Sequence, residues 1–212
     1  MPPRDEQDYE SRRQQIIDGA LHVFAQKGFE KATNKDIAEA AGIGSPGLIY
    51  HYFKDKNDLF RQVIQQRAPV LQLIGRSETL MAQPPREVLP LFGKAFVSMM
   101  QNRASVAMFK LLLGEAIRQP AVAKLFNSYG PARGFAFLTG YLAHQMDVGT
   151  LRRMDPGAVA RCFLGPLVAF VLTREVFVQA DSATLSGETL VATAVEIFLN
   201  GIQVADDAPA TP

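Results

Sequence analysis

The stretch TNKDIAEAAGIGSPGLIYHYFKDKNDLF, residues 33–60, decides the fold. Thr33 and Asp36 form the Ser/Thr-x-x-Asp/Glu pair that opens a helix, because each side chain can satisfy a backbone group that the first turn leaves free. That helix runs from Thr33 to Ala41, and Gly42 ends it. Ser45 is a good N-cap and Pro46 a good first helical residue, which predicts a short helix over roughly 46–53. Leu48, Ile49 and Phe53 anchor it. A fourth helix begins after Asp55, with Asp58 three residues on, and buries Leu59, Phe60, Val63 and Ile64. Two short helices joined by a glycine-containing turn and packed on a longer one form a helix-turn-helix.

Working outward, apolar residues recur at helical spacing nearly everywhere and no stretch alternates as a strand does. The first helix is predicted from about Ser11 to Lys27, burying Ile16, Ile17, Ala20, Leu21 and Phe24, with Gly28 as a left-handed C-cap. After Pro69 the expected helices are about 70–82, 87–101, 104–118, 121–146 (interrupted at Gly130-Pro131), 156–178 and 187–203. Breaks fall at Pro84-Pro85, Pro120, Gly149, Pro156 and the Asp181–Gly187 loop. The reading is all-α. It comprises a flexible arm (1–10), a three-helix helix-turn-helix domain (11–68), a larger helical domain (69–204), and a flexible tail (205–212).

Composition narrows the class. The chain has 212 residues, 48% hydrophobic and 20% charged, ordinary usage for a protein with a sizeable core. One cysteine, Cys162, makes no internal disulfide; lying in an apolar run it reads as inert core, which fits a reducing cytoplasm. MPPRDEQDYE is too polar for a secretory signal. The apolar run CFLGPLVAFVLT (162–173), flanked by Arg161 and Arg174, reads as a buried helix too short to cross a membrane. Three histidines, His22, His51 and His144, belong to no metal or nucleophile motif, and no Gly-rich phosphate loop precedes a helix. An enzyme, a cofactor or a metal is therefore not expected. Residues 1–68 carry ten Lys/Arg and ten Asp/Glu, so average charge shows no basic patch.

The pattern Thr-x-x-Asp-Ile-Ala-x-x-Ala-Gly-Ile, then Ser-x-Gly-x-Ile-Tyr-x-Tyr-Phe-x-x-Lys-x-x-Leu, resembles the N-terminal signature of the TetR family of transcriptional regulators, over roughly 12–64. The resemblance implies a bacterial, cytoplasmic, nucleoid-associated repressor that binds double-stranded operator DNA. It implies phosphate contacts from Thr33, Ser45, Tyr50 and Lys56, and base-facing positions at Pro46, Gly47, Leu48 and His51, with Tyr52 beside the groove wall. Gly44 stands as an extra residue against the family pattern, which leaves the base-facing set open. The short helix has no outward Arg, Asn or Gln, so bidentate base contacts are missing and DNA shape and water are expected to carry discrimination.

The C-terminal part is rich in Met and Phe, which fill irregular gaps or line an adaptable cavity. The resemblance implies an effector cavity, lined here by Phe96, Met99, Met100, Met108, Phe109, Leu112, Phe126, Phe137, Tyr141 and His144, for an apolar or amphipathic small molecule. Glu115 and Arg118 are further polar candidates; burial in a plain core is the alternative for each. The last two helices are apolar around much of their circumference. By the same resemblance they form a homodimer interface through Phe163, Leu167, Phe170, Val171, Phe177, Val191, Val195 and Phe198. Intramolecular burial alone is the competing reading, as a ligand- or protein-binding module without an operator, or an activator, competes with a repressor.

Overall fold

The computed structural model describes residues 4–179 and 184–204. Helix α1 (Arg4–Lys31) starts well before Ser11, so the expected arm is helical from Arg4 onward. The rest of that arm, the tail and part of the Asp181–Gly187 loop lie outside the described residues. Gly28 sits where a left-handed residue was expected (φ 81, ψ 171), but the chain makes one further turn, Phe29–Lys31, beyond it. Helix α2 (Asn34–Ala40) follows, ended by Gly42 at φ 65.

The segment Pro46–His51 forms a 3-10 helix, not the α-helix its capping residues suggested. Leu48 N–H donates to Ser45 O at 3.1 Å and Tyr52 N–H to Ile49 O at 3.0 Å, both three residues back. Six residues that include a proline and a glycine gain little from α-helical bonding, and tight turns suit such short pieces. Then come α3 (Lys56–Arg67), α4 (Pro69–Ile74), α5 (Ser77–Met81), α6 (Pro85–Ser98), a 3-10 turn at Met99–Gln101, and α7 (Arg103–Arg118). The chain continues through α8 (Pro120–Tyr129), α9 (Pro131–Asp147), α10 (Pro156–Glu175) and α11 (Gly187–Ile202). Proline opens α4, α6, α8, α9 and α10, a position where its missing N–H costs nothing.

These helices gather into two compact units. The first holds α1–α3 together with α7 and α8; the second holds α4–α6 and α9–α11. In the first, Ile16, Ile17, Phe24, Ile37, Ile49, Phe53 and Leu59 are buried, and Phe60 packs edge-on to Phe24 with ring centres 5.4 Å apart. The end of α2 lies directly on α1: a Cβ on Gly19 would come within 2.8 Å of the Ala41 nitrogen.

In the second unit, Phe92, Leu138, Tyr141, Leu142, Phe163 and Leu167 centre the core. The Tyr141 hydroxyl donates to Gln83 O at 2.8 Å, and Gln145 Nε2 donates to Met81 O at 3.2 Å, tying α9 to the α5–α6 connection. Helix α10 corrects one expectation. It has 20 residues and a window of mean hydropathy 1.6, so length and composition alone would let it span a membrane. Its Phe163, Leu167, Phe170 and Val171 are buried in this unit, but only 33% of that window is buried and the rest faces outward. A core helix passes the same length test.

Candidate nucleic-acid interface

A 3-10 helix repeats every three residues, so positions three apart share an edge. Ile49 is buried and Tyr52 half-buried, which fixes one edge inward. The remaining edges, Gly47 with Tyr50 and Leu48 with His51, point away from the core. Pro46, Gly47, Tyr50 and His51 are exposed and Leu48 is half-buried. Ser45 caps the turn, its Oγ accepting from Gly47 N–H at 3.3 Å. Gly44 is absorbed in the preceding loop, exposed and with open space around it, while Ile43 stays buried.

The start of α2 braces this turn. Asp36 N–H donates to Thr33 Oγ1 at 3.2 Å, and Thr33 N–H donates to Asp36 Oδ2 at 3.1 Å, closing the capping box read from sequence. Asn34 Nδ2 donates to the Tyr50 hydroxyl at 2.8 Å. Sequence reasoning missed Asn34; its signal was an amide at the first position of α2, next to a capping residue already assigned. Lys35 and Lys54 are exposed on the same helix-turn-helix, with no ion pair among the described residues, and they too were missed. Tyr52 packs against Tyr9 of α1, ring centres 4.6 Å apart and planes tilted by 34°, beside an open groove lined by Asp8, Ser11, Arg12 and Gln15.

Lys27 bonds Asp36 at 2.7 Å, and this ammonium, with the Thr33 hydroxyl and N–H, pulls the Asp36 carboxyl down to about 2. A depressed carboxyl stabilises the fold fully above its unfolded value, near 4, and the contribution fades as pH falls toward 2. Thermal melts in dilute buffer should therefore lose stability across that window. Thr33→Ala should shallow that loss; an unchanged profile would remove the capping box from the account.

Lys56 is the clearest reassignment. Its Nζ donates to Phe29 O (2.9 Å), Glu30 O (3.3 Å) and Ala32 O (3.2 Å), and sits 4.6 Å from the Phe29 ring centre. All three ammonium donors are taken, so the group expected on a phosphate closes the end of α1 instead.

The expected effector residues divide between the units. Met99, Met100, Met108, Phe109, Leu112 and Phe126 belong to the first, and Phe96, Phe137, Tyr141 and His144 to the second. Met108, Leu112 and Tyr141 are buried. Burial, with the Glu87 charge adding to it, pushes the Tyr141 hydroxyl above the usual tyrosine range. Glu115 is buried, accepting a backbone N–H from Phe29 at 3.2 Å, and Arg118 is exposed.

The expected dimer set is also redistributed. Phe163, Leu167, Phe170, Val171, Val191 and Val195 are buried within the protomer, leaving no surface to offer a partner. Phe198 is half-buried and Phe177 exposed. The outward face of α10 is made by Cys162, Gly165, Pro166, Val168 and Ala169, and α11 exposes Ala192, Thr193 and Ile197. Cys162, expected in the core, is on the surface.

Known proteins resemble this chain over most of its length. The model of AefR-like transcriptional repressors, C-terminal domain, matches residues 87–201, and that of bacterial regulatory proteins of the tetR family matches residues 16–63. The HTH-type transcriptional repressor Rv1474c of Mycobacterium tuberculosis is 30% identical over 182 residues, 82% of this chain and 87% of that protein. A TetR-family regulator from Mesorhizobium loti aligns with a TM-score of 0.69 at 22% identity, over 96% of this chain and 100% of that one. The regulator FadR from Bacillus subtilis, in complex with stearoyl-CoA, aligns with a TM-score of 0.66 at 23% identity, over 90% and 99%.

Proposed function

We propose that this chain, which belongs to the TetR family and is a transcriptional repressor, binds palindromic operator DNA as a homodimer in the cytoplasm and is released by a small apolar or amphipathic effector. Members of this family regulate transcription and are not enzymes.

The observation that carries the reading is the braced recognition turn. Its Gly47–Tyr50 and Leu48–His51 edges are outward, its Ile49 is locked in the core, and Asn34 steadies the Tyr50 hydroxyl. A turn of six residues spans too few base pairs to select a site alone, whereas two related by a twofold axis read two half-sites at fixed spacing. The outward small-residue face of α10, with Ile197 of α11, supports the pairing: Val168 is 41% and Ile197 69% exposed. The stearoyl-CoA held by the FadR neighbour supports an amphipathic effector class. An effector that prefers the non-binding state lowers operator affinity, and operator binding then weakens the effector by the same factor.

The test is selection of duplexes from a random pool by the whole chain, followed by salt titration of the winner. Affinity should fall steeply with salt, as phosphate contacts require. His51→Ala should change which sequences win. Tyr50→Phe, which leaves the Asn34 amide without its acceptor, should weaken all duplexes alike. No enrichment, or one shared effect of both substitutions, would refute the assignment.

A further inference from the structure

We propose that Glu115 is a positioning residue for DNA binding: from α7 it holds, by one hydrogen bond, the turn of α1 that orients α2 and the recognition turn. This rests on the operator-binding reading above.

Glu115 is only 6% exposed, and no ion pair among the described residues involves it. A buried carboxylate without a cation is unfavourable unless hydrogen bonds compensate. Its Oε2 accepts the Phe29 N–H at 3.2 Å. That donor is free because Gly28, at φ 81 and ψ 171, interrupts α1 and leaves Phe29–Lys31 as a new turn whose first N–H groups have no helical acceptor. A carboxylate is the favoured occupant at such a start. Gly28 also makes the space: Oε1 lies 2.1 Å from where a Cβ would be.

The other side of the same turn is held by Lys56, which takes the carbonyls of Phe29, Glu30 and Ala32. So α7 grips the turn by its donor and α3 by its acceptors. Thr33, the cap of α2, follows at once, and Asn34 then reaches the Tyr50 hydroxyl. Every link from Glu115 to the recognition turn is a short covalent step or a named bond. Helix α7 lies inside the segment matched by the repressor C-terminal domain model, so this bond ties that segment to the DNA-facing surface.

Two near-isosteric variants separate positioning from stability, using the duplex that the wild-type chain selects. Glu115→Met removes the acceptor along with a buried charge. It leaves the Phe29 N–H unpaired and should melt somewhat lower than wild type, yet at temperatures where it is fully folded it should bind the operator about tenfold or more weakly, the scale of one charge-assisted hydrogen bond. Glu115→Gln keeps an acceptor oxygen and should bind within about threefold of wild type, the smaller loss of a neutral bond. Amide exchange at residues 29–33 should quicken in the Met variant and not in the Gln variant. A Met variant that binds as wild type, or that fails to fold, overturns the proposal, as does a Gln variant as weak as Met. A wild-type chain that selects no duplex sinks the operator reading itself, which is a different result.

Discussion

Val168→Arg should split the proposed homodimer into monomers in solution and lower affinity for the proposed palindromic operator by roughly 10²–10⁴-fold, the range that joining two binding events supplies. Val168 lies on the outward face of α10 with Gly165 and Ala169, where an arginine meets water in the protomer and disturbs no core. On a twofold interface the same arginine appears twice. An uncompensated buried charge costs about 3–5 kcal/mol, and two like charges facing each other exceed what a modest helical interface supplies. Light scattering should report halved mass with an unchanged helical spectrum. Leu167→Arg is the contrasting control: Leu167 is fully buried, so that change should unfold the second unit instead of separating protomers. A Val168→Arg chain that stays dimeric at micromolar concentration would place the interface elsewhere.

The dimer set shows where sequence reading runs out. Helix α10 is apolar on every side, so periodicity gives it no phase, and the resemblance supplied a helix pair without saying which of its faces turns outward. The large residues Phe163, Leu167 and Phe170 fill the protomer core, and the small ones, Gly165 and Ala169, face outward with Val168. The capping box, by contrast, was legible because both partners lie within one turn. So was the place of the recognition turn, set by Ser45, Pro46 and the spacing of Ile49 and Phe53. Its 3-10 form was not, since caps announce a helix without stating its pitch.

Lys56 was misread because its partners lie between 24 and 27 positions back, at a break in α1 that only the fold brings near. Glu115 had a readable signal that went unused. It falls on the buried stripe of α7 with Met108 and Leu112, at spacings of three, four and seven. An acid on such a stripe needs a specific donor, and the sequence has no way to say that the donor is a main-chain N–H in another helix.

Gly28→Ala should cost about 3 kcal/mol or more, since a left-handed, extended backbone strains any side chain and a bond to a carboxylate is lost as well. Two effects combine here. At φ 81 and ψ 171 an alanine is strained wherever its methyl goes. The methyl would also lie 2.1 Å from Glu115 Oε1, a flexible group that can swing aside only by releasing the Phe29 N–H. In a chain of this size the midpoint of thermal unfolding should drop by roughly 10 °C, and operator affinity should fall with it. A double-mutant cycle separates the effects. With Glu115→Met already in place the acceptor is gone, so adding Gly28→Ala should cost only the backbone strain. The two costs should then sum to more than the double variant shows, by roughly 1–2 kcal/mol, the scale of coupling between touching groups. Strict additivity would mean that the carboxylate and the glycine act independently, and the clamp on the Phe29 turn would have to be abandoned.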